Sequence, residues 1–458
     1  MVIVGAVAAG GSAAFKIKRI DPEASVQVFE AGEYISYAAC GLPYYVAGVI
    51  SDYRRMIMRT PDDFQKAGVD LHTSCIVETV DPSRGEIRVF DKKKKRQKTV
   101  PFDNLLLATG ACPLVPQIDG VKLKGVVSLR TMEDGLELQR LAYKNEKNRV
   151  VIIGGGYIGL ELAEALRILG KEVTLVEQRP RVMPGIDDDM AVLLEEELTR
   201  NGVVLRTGET LHALEGDNQG HVTNVITDKA ACPADLVVLA LGVKPASQLA
   251  EEAGIQLGVK RAIAVDRYLG TSVPGIFAAG DCAETFHQVL KKNVYIPLGT
   301  TANRQGRVAA ENICGGQKEY RGSLGSAVAK VFDLSCARTG LSEKEAQAQA
   351  VPAASARVEA LDNAPYYPGG RPLHIKLVYH PLSGELLGGQ IIGSERAVKR
   401  IDVLAAAITS RMTLDQLSEI DMAYAPPFAQ VWDALSVAAA VAEGKRQRSK
   451  HFKGKEPG

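Results

Sequence analysis

The sequence predicts an α/β chain made of two copies of one strand–turn–helix–strand unit, followed by a C-terminal α+β region. Three observations support this. A glycine-rich turn follows a short apolar strand at Gly5-Ala-Val-Ala-Ala-Gly10, and again at Gly154-Gly-Gly156-Tyr-Ile-Gly159. Each turn opens an amphipathic run that leads into a second apolar strand ending on an acid, Glu30 or Glu177. From about Gly325 longer strands precede helices, and no such turn recurs.

Composition sets the outer limits. A chain of 458 residues with 46% apolar content holds several domains and a large core. A net charge of +1 provides no global attraction to nucleic acid or anionic membrane. No apolar stretch reaches the roughly 18 residues of a spanning helix. The first strand, Val2 to Val4, begins almost at Met1, so no signal peptide is expected. Seven scattered cysteines without a CxxC pair fit a reducing cytoplasm and no zinc site.

In chain order, the first unit runs from Val2 through a helix to Ile20 and a strand at Ser25 to Glu30. Ile76 to Pro101 alternates polar and apolar residues as antiparallel strands do, with Lys92 to Arg96 as a solvated hairpin turn. A strand at Leu105 to Ala108 ends in Thr109-Gly110. The second unit runs from Arg149 through a helix to Leu169 and a strand to Glu177. A further strand near Ala234 ends at Gly242. Strands at His374 to Tyr379 and Leu386 to Ile392 precede helices around Ala397 to Ser410 and Phe428 to Ala442. The basic tail after Gly444 is expected to be disordered.

Both turns have the chemistry of a dinucleotide site. A turn without side chains lets the backbone approach a pyrophosphate, and the next helix points its free N–H groups at that charge. The acid accepts hydrogen bonds from ribose hydroxyls. The second turn has all three glycines, Gly154, Gly156 and Gly159, with Glu177 following 18 residues later. The first keeps Gly5, Gly10 and Glu30 but has Val7 at the second glycine position, with Ala8 and Ala9 beside it. Two pockets imply two dinucleotides, FAD and NAD(P)H. Thr271 to Asp281 reads as a buried strand ending in a glycine and a carboxylate, which in two-dinucleotide flavoproteins lies on the flavin ribityl chain. Glu177 favours NADH because a carboxylate repels a 2′-phosphate; Arg179 and Arg181 just beyond it can bind one.

Ser36-Tyr-Ala-Ala-Cys40-Gly41-Leu-Pro43-Tyr44-Tyr45 places a cysteine before a Gly-x-Pro helix start. There the helix dipole is expected to lower the thiol pKa. With the two glycine motifs, Ala278 to Asp281, Tyr366-Tyr367-Pro-Gly, Lys399-Arg-Ile-Asp402 and Tyr424-Ala-Pro-Pro-Phe428, the chain resembles the single-cysteine pyridine nucleotide–disulfide oxidoreductases, and within them the coenzyme A-disulfide reductases. The likeness runs from Val2 to about Ala442.

The resemblance implies two Rossmann-like domains of the three-layer ββα type and a C-terminal α+β dimerisation domain. FAD is expected on 1–115 and 245–322, NAD(P)H on 116–244, and dimerisation on 323–445, with 446–458 as the disordered tail. It extends the cofactor-binding set to Val77, Thr109, Gly110, Arg130, Asp281, Ala302, Tyr157, Ile158 and Gly242. It also implies electron flow from NAD(P)H through flavin to a mixed disulfide between Cys40 and coenzyme A. The freed Cys40 thiolate then attacks the next CoA disulfide or persulfide. Tyr366 and Tyr424 of the partner subunit in a homodimer are expected to assist the leaving thiolate. Ser12, Lys16, Arg19, Ser36 and Asn303 are the expected coenzyme A contacts. Trp432 joins this set, standing where some coenzyme A-disulfide reductases have a lysine; members reducing polysulfide or sulfur look similar there.

Dithiol members carry a second cysteine where Tyr45 stands. Peroxidases and oxidases of the single-cysteine branch carry a histidine where Ala8 and Ala9 stand. These departures favour an external sulfur acceptor. The alternative is an NADH oxidase or an NAD(P)H:polysulfide or sulfur reductase on the same centre. A redox sensor or electron-transfer protein is a different class, and Cys40 beside the flavin argues against it.

Overall fold

In a computed structural model, residues 1–453 are described, apart from Asn145 and Lys147. Two five-stranded parallel sheets dominate the N-terminal three quarters. The first has the order Ile276–Ala278, Leu105–Leu107, Val2–Val4, Val26–Phe29, Val69–His72. It therefore joins two segments far apart in sequence. The second has the order Val204–Thr207, Glu172–Glu177, Arg149–Ile153, Leu236–Leu239, Val126–Ser128. Val2–Val4, Leu105–Leu107 and Leu236–Leu239 are apolar and buried throughout, and Arg149–Ile153 is buried after Arg149, as parallel strands covered on both faces must be. Each sheet is accompanied by a three-stranded antiparallel sheet, one of them the predicted meander from Cys75 to Pro101. Lys92 to Lys95 form its hairpin turn.

The units are joined by a two-stranded ribbon, Ala111–Pro113 against Val243–Pro245. The Thr109 hydroxyl reinforces it by donating to the Ala246 carbonyl at 2.6 Å. The C-terminal region is a five-stranded antiparallel sheet covered by the helices Ile401–Thr409 and Ala434–Lys453.

Two expectations about the C-terminus need correction. The last helix begins at Ala434, not Phe428, because the Asp433 carboxylate accepts from the Leu435 N–H and caps it there. It continues to Lys453, so 446–453 is helix where a disordered tail was expected. Glu443 pairs with Arg446 one turn on, and Arg446 also donates to the Leu382 carbonyl at 2.7 Å, anchoring that turn to the domain. Residues 454–458 lie outside the described residues.

The loop after Glu177 is tied to the C-terminal domain. Lys376, 5% exposed, lies 2.8 Å from Asp189, 3.2 Å from Asp187 and 2.8 Å from Glu343. Gln390 exchanges two hydrogen bonds with Asp187, and Arg338 donates to the Gly185 carbonyl at 2.8 Å.

Candidate active site

One cavity of about 2570 Å³ runs past both glycine turns. Gly5, Val7, Ala8, Ala9, Glu30, Val77, Thr109, Gly110, Arg130, Asp281 and Ala302 line one arm. Gly154, Gly156, Tyr157, Ile158, Glu177 and Gly242 line the other. Gly10 and Gly159 do not line it. Each lies in the helix behind its turn, against the carbonyl of Gly5 or Gly154, where it lets helix and strand approach closely.

The two turns share one geometry. Gly5 has φ +101° and Gly154 φ +111°, and a Cβ on either would lie 2.2 Å or 2.4 Å from a backbone oxygen of the neighbouring strand. Glu30 accepts from the Ala6 N–H at 2.8 Å and the Gly32 N–H at 2.9 Å. Glu177 accepts from the Gly155 N–H at 2.7 Å and the Arg179 N–H at 2.8 Å. Each acid is thus locked at the rim of its turn. A Cβ at Gly156 would meet nothing within 4 Å, which leaves room for a ligand against the backbone. These cradles fit one dinucleotide each.

Asp281 accepts from Arg130 at 2.8 Å in a half-buried pair. Burial pushes the Asp281 carboxyl up, and Arg130 opposes that rise. No helix begins at Asp281. The helix N-terminus at the cavity belongs to Gly299–Ile313, and Tyr295 donates to the Asp281 carbonyl at 2.9 Å.

Cys40 is exposed and lines the same cavity as both glycine turns. It sits in the single turn Ala39–Gly41, followed by the short helix Leu42–Val46. The expected lowering of its thiol pKa is not found. Although the side chain is open to the cavity, the surrounding walls desolvate the sulfur in part, and this pushes the thiol up. The Glu161 carboxylate adds to the rise, Arg130 opposes it, and Asp281 adds again. A five-residue helix has too small a dipole to reverse these effects. Tyr45 is buried and packs edge-on against Tyr53, so it offers nothing to the cavity.

Of the expected coenzyme A contacts, Asn303 lines the cavity, and the Ser12 hydroxyl donates to its side-chain oxygen at 2.5 Å. Lys16 is paired with Glu311 at 3.0 Å, and Arg19 is exposed one turn further along the same face. Ser36 is buried, with φ +43°, and does not line the cavity. Tyr366 and Tyr424 stand on the surface of the C-terminal domain, away from the cavity of their own chain. Trp432 is 73% exposed on that domain. Sequence reasoning missed Glu161, which faces the cavity one turn after Tyr157. The signal was a carboxylate on the otherwise apolar cavity face of the Tyr157–Ile168 helix.

Among the described residues, no helix is long and apolar enough to cross a membrane, and no His/Cys/Asp/Glu group is placed to hold a metal.

Residues 1–306 match the family described as pyridine nucleotide-disulphide oxidoreductase, and residues 326–435 match its dimerisation domain. An NAD(P)H coenzyme A polysulfide/persulfide reductase of Pyrococcus horikoshii is 40% identical, over 96% of this chain and 98% of its own. A coenzyme A disulfide reductase of Staphylococcus aureus is 30% identical, over 95% of this chain and 98% of its own. The structure of a water-forming NADH oxidase from Lactobacillus brevis, bound to NADH, superposes with a TM-score of 0.94. It is 30% identical, and the match covers 98% of this chain and 99% of that one. With both nucleotide cradles, the intervening Cys40 and the C-terminal domain in place, this chain belongs to the pyridine nucleotide-disulphide oxidoreductases.

Proposed function

We propose that the protein is an FAD-dependent NAD(P)H oxidoreductase that reduces coenzyme A disulfide or coenzyme A persulfide through Cys40. The observation that carries this reading is that Cys40 is exposed on the one cavity that both dinucleotide cradles line. Bound FAD supplies the two-electron relay between nicotinamide and sulfur. The first cradle holds it through the Gly5 turn, Glu30 and Asp281, with Arg130 fixing the Asp281 carboxylate. The second cradle holds NAD(P)H through the Gly154–Gly156 turn and Glu177.

Cys40 attacks the sulfur–sulfur bond of the substrate. One coenzyme A thiolate leaves, and the other remains as a disulfide on Cys40. Ser12 and Asn303 already form a hydrogen-bonded pair beside the cavity, which suits a polar coenzyme A segment. Tyr366, Tyr424, Phe428, Val431 and Trp432 are each at least 42% exposed and form an apolar, aromatic surface on the C-terminal domain. In a homodimer this surface meets the partner and brings the tyrosine pair to the partner's Cys40 cavity. A second reading is polysulfide reduction, favoured by the uncharged Trp432.

The test is steady-state NADH and NADPH oxidation by the purified flavoprotein with coenzyme A disulfide, coenzyme A persulfide, polysulfide, peroxide and oxygen in parallel. Coenzyme A disulfide or persulfide should give the highest kcat/KM. Cys40→Ser should abolish that activity while FAD stays bound. Full activity in this variant refutes the role of Cys40.

A further inference from the structure

The Tyr157–Ile168 helix packs against the short Leu42–Val46 helix. Their junction brings three groups together. Cys40 and Glu161 share the cavity wall, and Tyr44 extends its hydroxyl to 3.5 Å from a Glu161 carboxyl oxygen. Glu161 is half-buried, and among the described residues no lysine, arginine or histidine pairs with it. The nearby cation Lys330 is taken by Glu164 one turn along, which also accepts from the Phe332 N–H at 2.8 Å. The groups around Glu161 are therefore Tyr44 and Cys40 from the facing wall and Tyr157 and Glu164 from its own helix.

A carboxyl group placed this way has no cation to keep it ionised. Burial pushes Glu161 up to about 7, with the Tyr44 hydroxyl holding it down and Glu164 adding to the rise. Glu161 in turn acts on the thiol: its carboxylate is the largest charge opposing the Cys40 thiolate.

We infer that Glu161 tunes the reactivity of Cys40: as a carboxylate it opposes the thiolate, and as a neutral acid it lifts that one charge, leaving burial and Asp281 against the thiolate and Arg130 in its favour. Glu161 acts through Cys40 and is a positioning residue. The inference rests on the proposed role of Cys40, but it concerns the ionisation of the thiol and is read without turnover. It makes the nucleophile self-limiting. Raising the pH deprotonates the thiol in bulk terms, yet it also charges Glu161 and pushes the thiol pKa higher. The thiolate fraction therefore rises less steeply than for an isolated cysteine.

The experiment measures iodoacetamide alkylation of the NADH-reduced holoenzyme across the neutral range, with the label mapped to Cys40 by peptide mass spectrometry because Cys112 is also exposed. Glu161→Gln removes the titrating charge at constant shape. It should alkylate Cys40 roughly threefold to tenfold faster than wild type near pH 8, a thiol shift of about half a unit to one unit. The two rates should converge near pH 5.5, about one and a half units below the point where Glu161 ionises. Tyr44→Phe removes the hydrogen bond that favours the carboxylate, so the slowing seen in wild type should begin at higher pH. Infrared difference spectra should show a protonated carboxylic acid band at about pH 6 that is absent in Glu161→Gln. Superimposable alkylation profiles for wild type and Glu161→Gln, both folded and yellow, overturn the inference. So does a wild-type spectrum without that band. Neither result bears on the role of Cys40, which the turnover of Cys40→Ser decides.

Discussion

The hydroxyls of Tyr366 and Tyr424 lie 2.7 Å apart, although 58 residues separate them in the chain. Both side chains are exposed, at 73% and 42%, so the pair is preformed on an open surface. Tyr424 is shifted upward chiefly by its hydrogen bond to Tyr366. Such a pair can donate a hydrogen bond to a leaving thiolate.

If the pair serves the partner's cavity, complementation reveals it. Cys40→Ser and the double variant Tyr366→Phe/Tyr424→Phe should each lose most disulfide reductase activity, the tyrosine variant by roughly a hundredfold. Mixed dimers of the two should recover one working site in two. Hybrid dimers with no activity would place the tyrosines in service of their own chain or outside the reaction.

Choice of nicotinamide should depend on Arg179 and not on Arg181. Arg181 is committed to Glu195 at 2.7 Å and does not line the cavity, whereas Arg179 is exposed on the rim beside Glu177. Arg179→Ala should raise the KM for NADPH about tenfold and leave that for NADH nearly unchanged, since one lost charged hydrogen bond is worth about 1.5–3 kcal/mol. Arg181→Ala should alter the NADPH-to-NADH ratio by less than about twofold. Initial-rate kinetics with both coenzymes distinguish the two.

Two glycines two residues apart should fail in different ways. Gly154→Ala meets both a positive φ and a backbone oxygen 2.4 Å away, so the protein should fold poorly. Gly156→Ala meets nothing within 4 Å and should fold normally. Its added methyl would stand where the coenzyme approaches, weakening NADH binding about tenfold or more. Thermal melts and NADH titrations separate the outcomes.

The Lys376 cluster should act as a latch between the coenzyme loop and the C-terminal domain. Lys376→Met leaves three carboxylates facing one another and should cost about 3 kcal/mol, read as a lower urea midpoint. The KM for NADH should rise with it, because the 178–187 loop loses its anchor. Burial alone would raise the Asp187 carboxyl, but the Lys344 and Glu343 N–H groups, Lys376 and Gln390 together hold it below the usual range. A carboxyl lowered on folding contributes stability above its unfolded pKa of about 3.9, and loses that contribution as the pH falls through the lower folded value. Asp187→Asn should flatten the acid limb of the stability profile measured by urea unfolding between about pH 2 and pH 5.

Much of the frame was legible in the chain itself. Glycine turns, apolar strands and terminal acids are local patterns, so both cradles could be read from the Gly5 and Gly154 motifs. The helix end was misread because its start depends on the Asp433 cap and its persistence on Arg446 reaching Leu382, a contact 64 residues away. Cys40 was found from its motif, but its ionisation was not. The local sequence shows a cysteine ahead of a helix; the cavity walls, Glu161 and Asp281 that push the thiol up come from elsewhere in the chain.

The sequence by itself determined which residues could form nucleotide turns, that a cysteine stands just ahead of the Leu42–Val46 helix, and which strands are buried on both faces, because these depend on neighbours a few positions away. Tertiary structure alone decided that Arg181 is spent on Glu195, that Lys16 faces Glu311, that two distant tyrosines share a hydrogen bond, and that Glu161 and Cys40 line one cavity. The physical reason is that charge–charge energies and desolvation depend on distance and dielectric in three dimensions, which the spacing of residues along the chain does not encode.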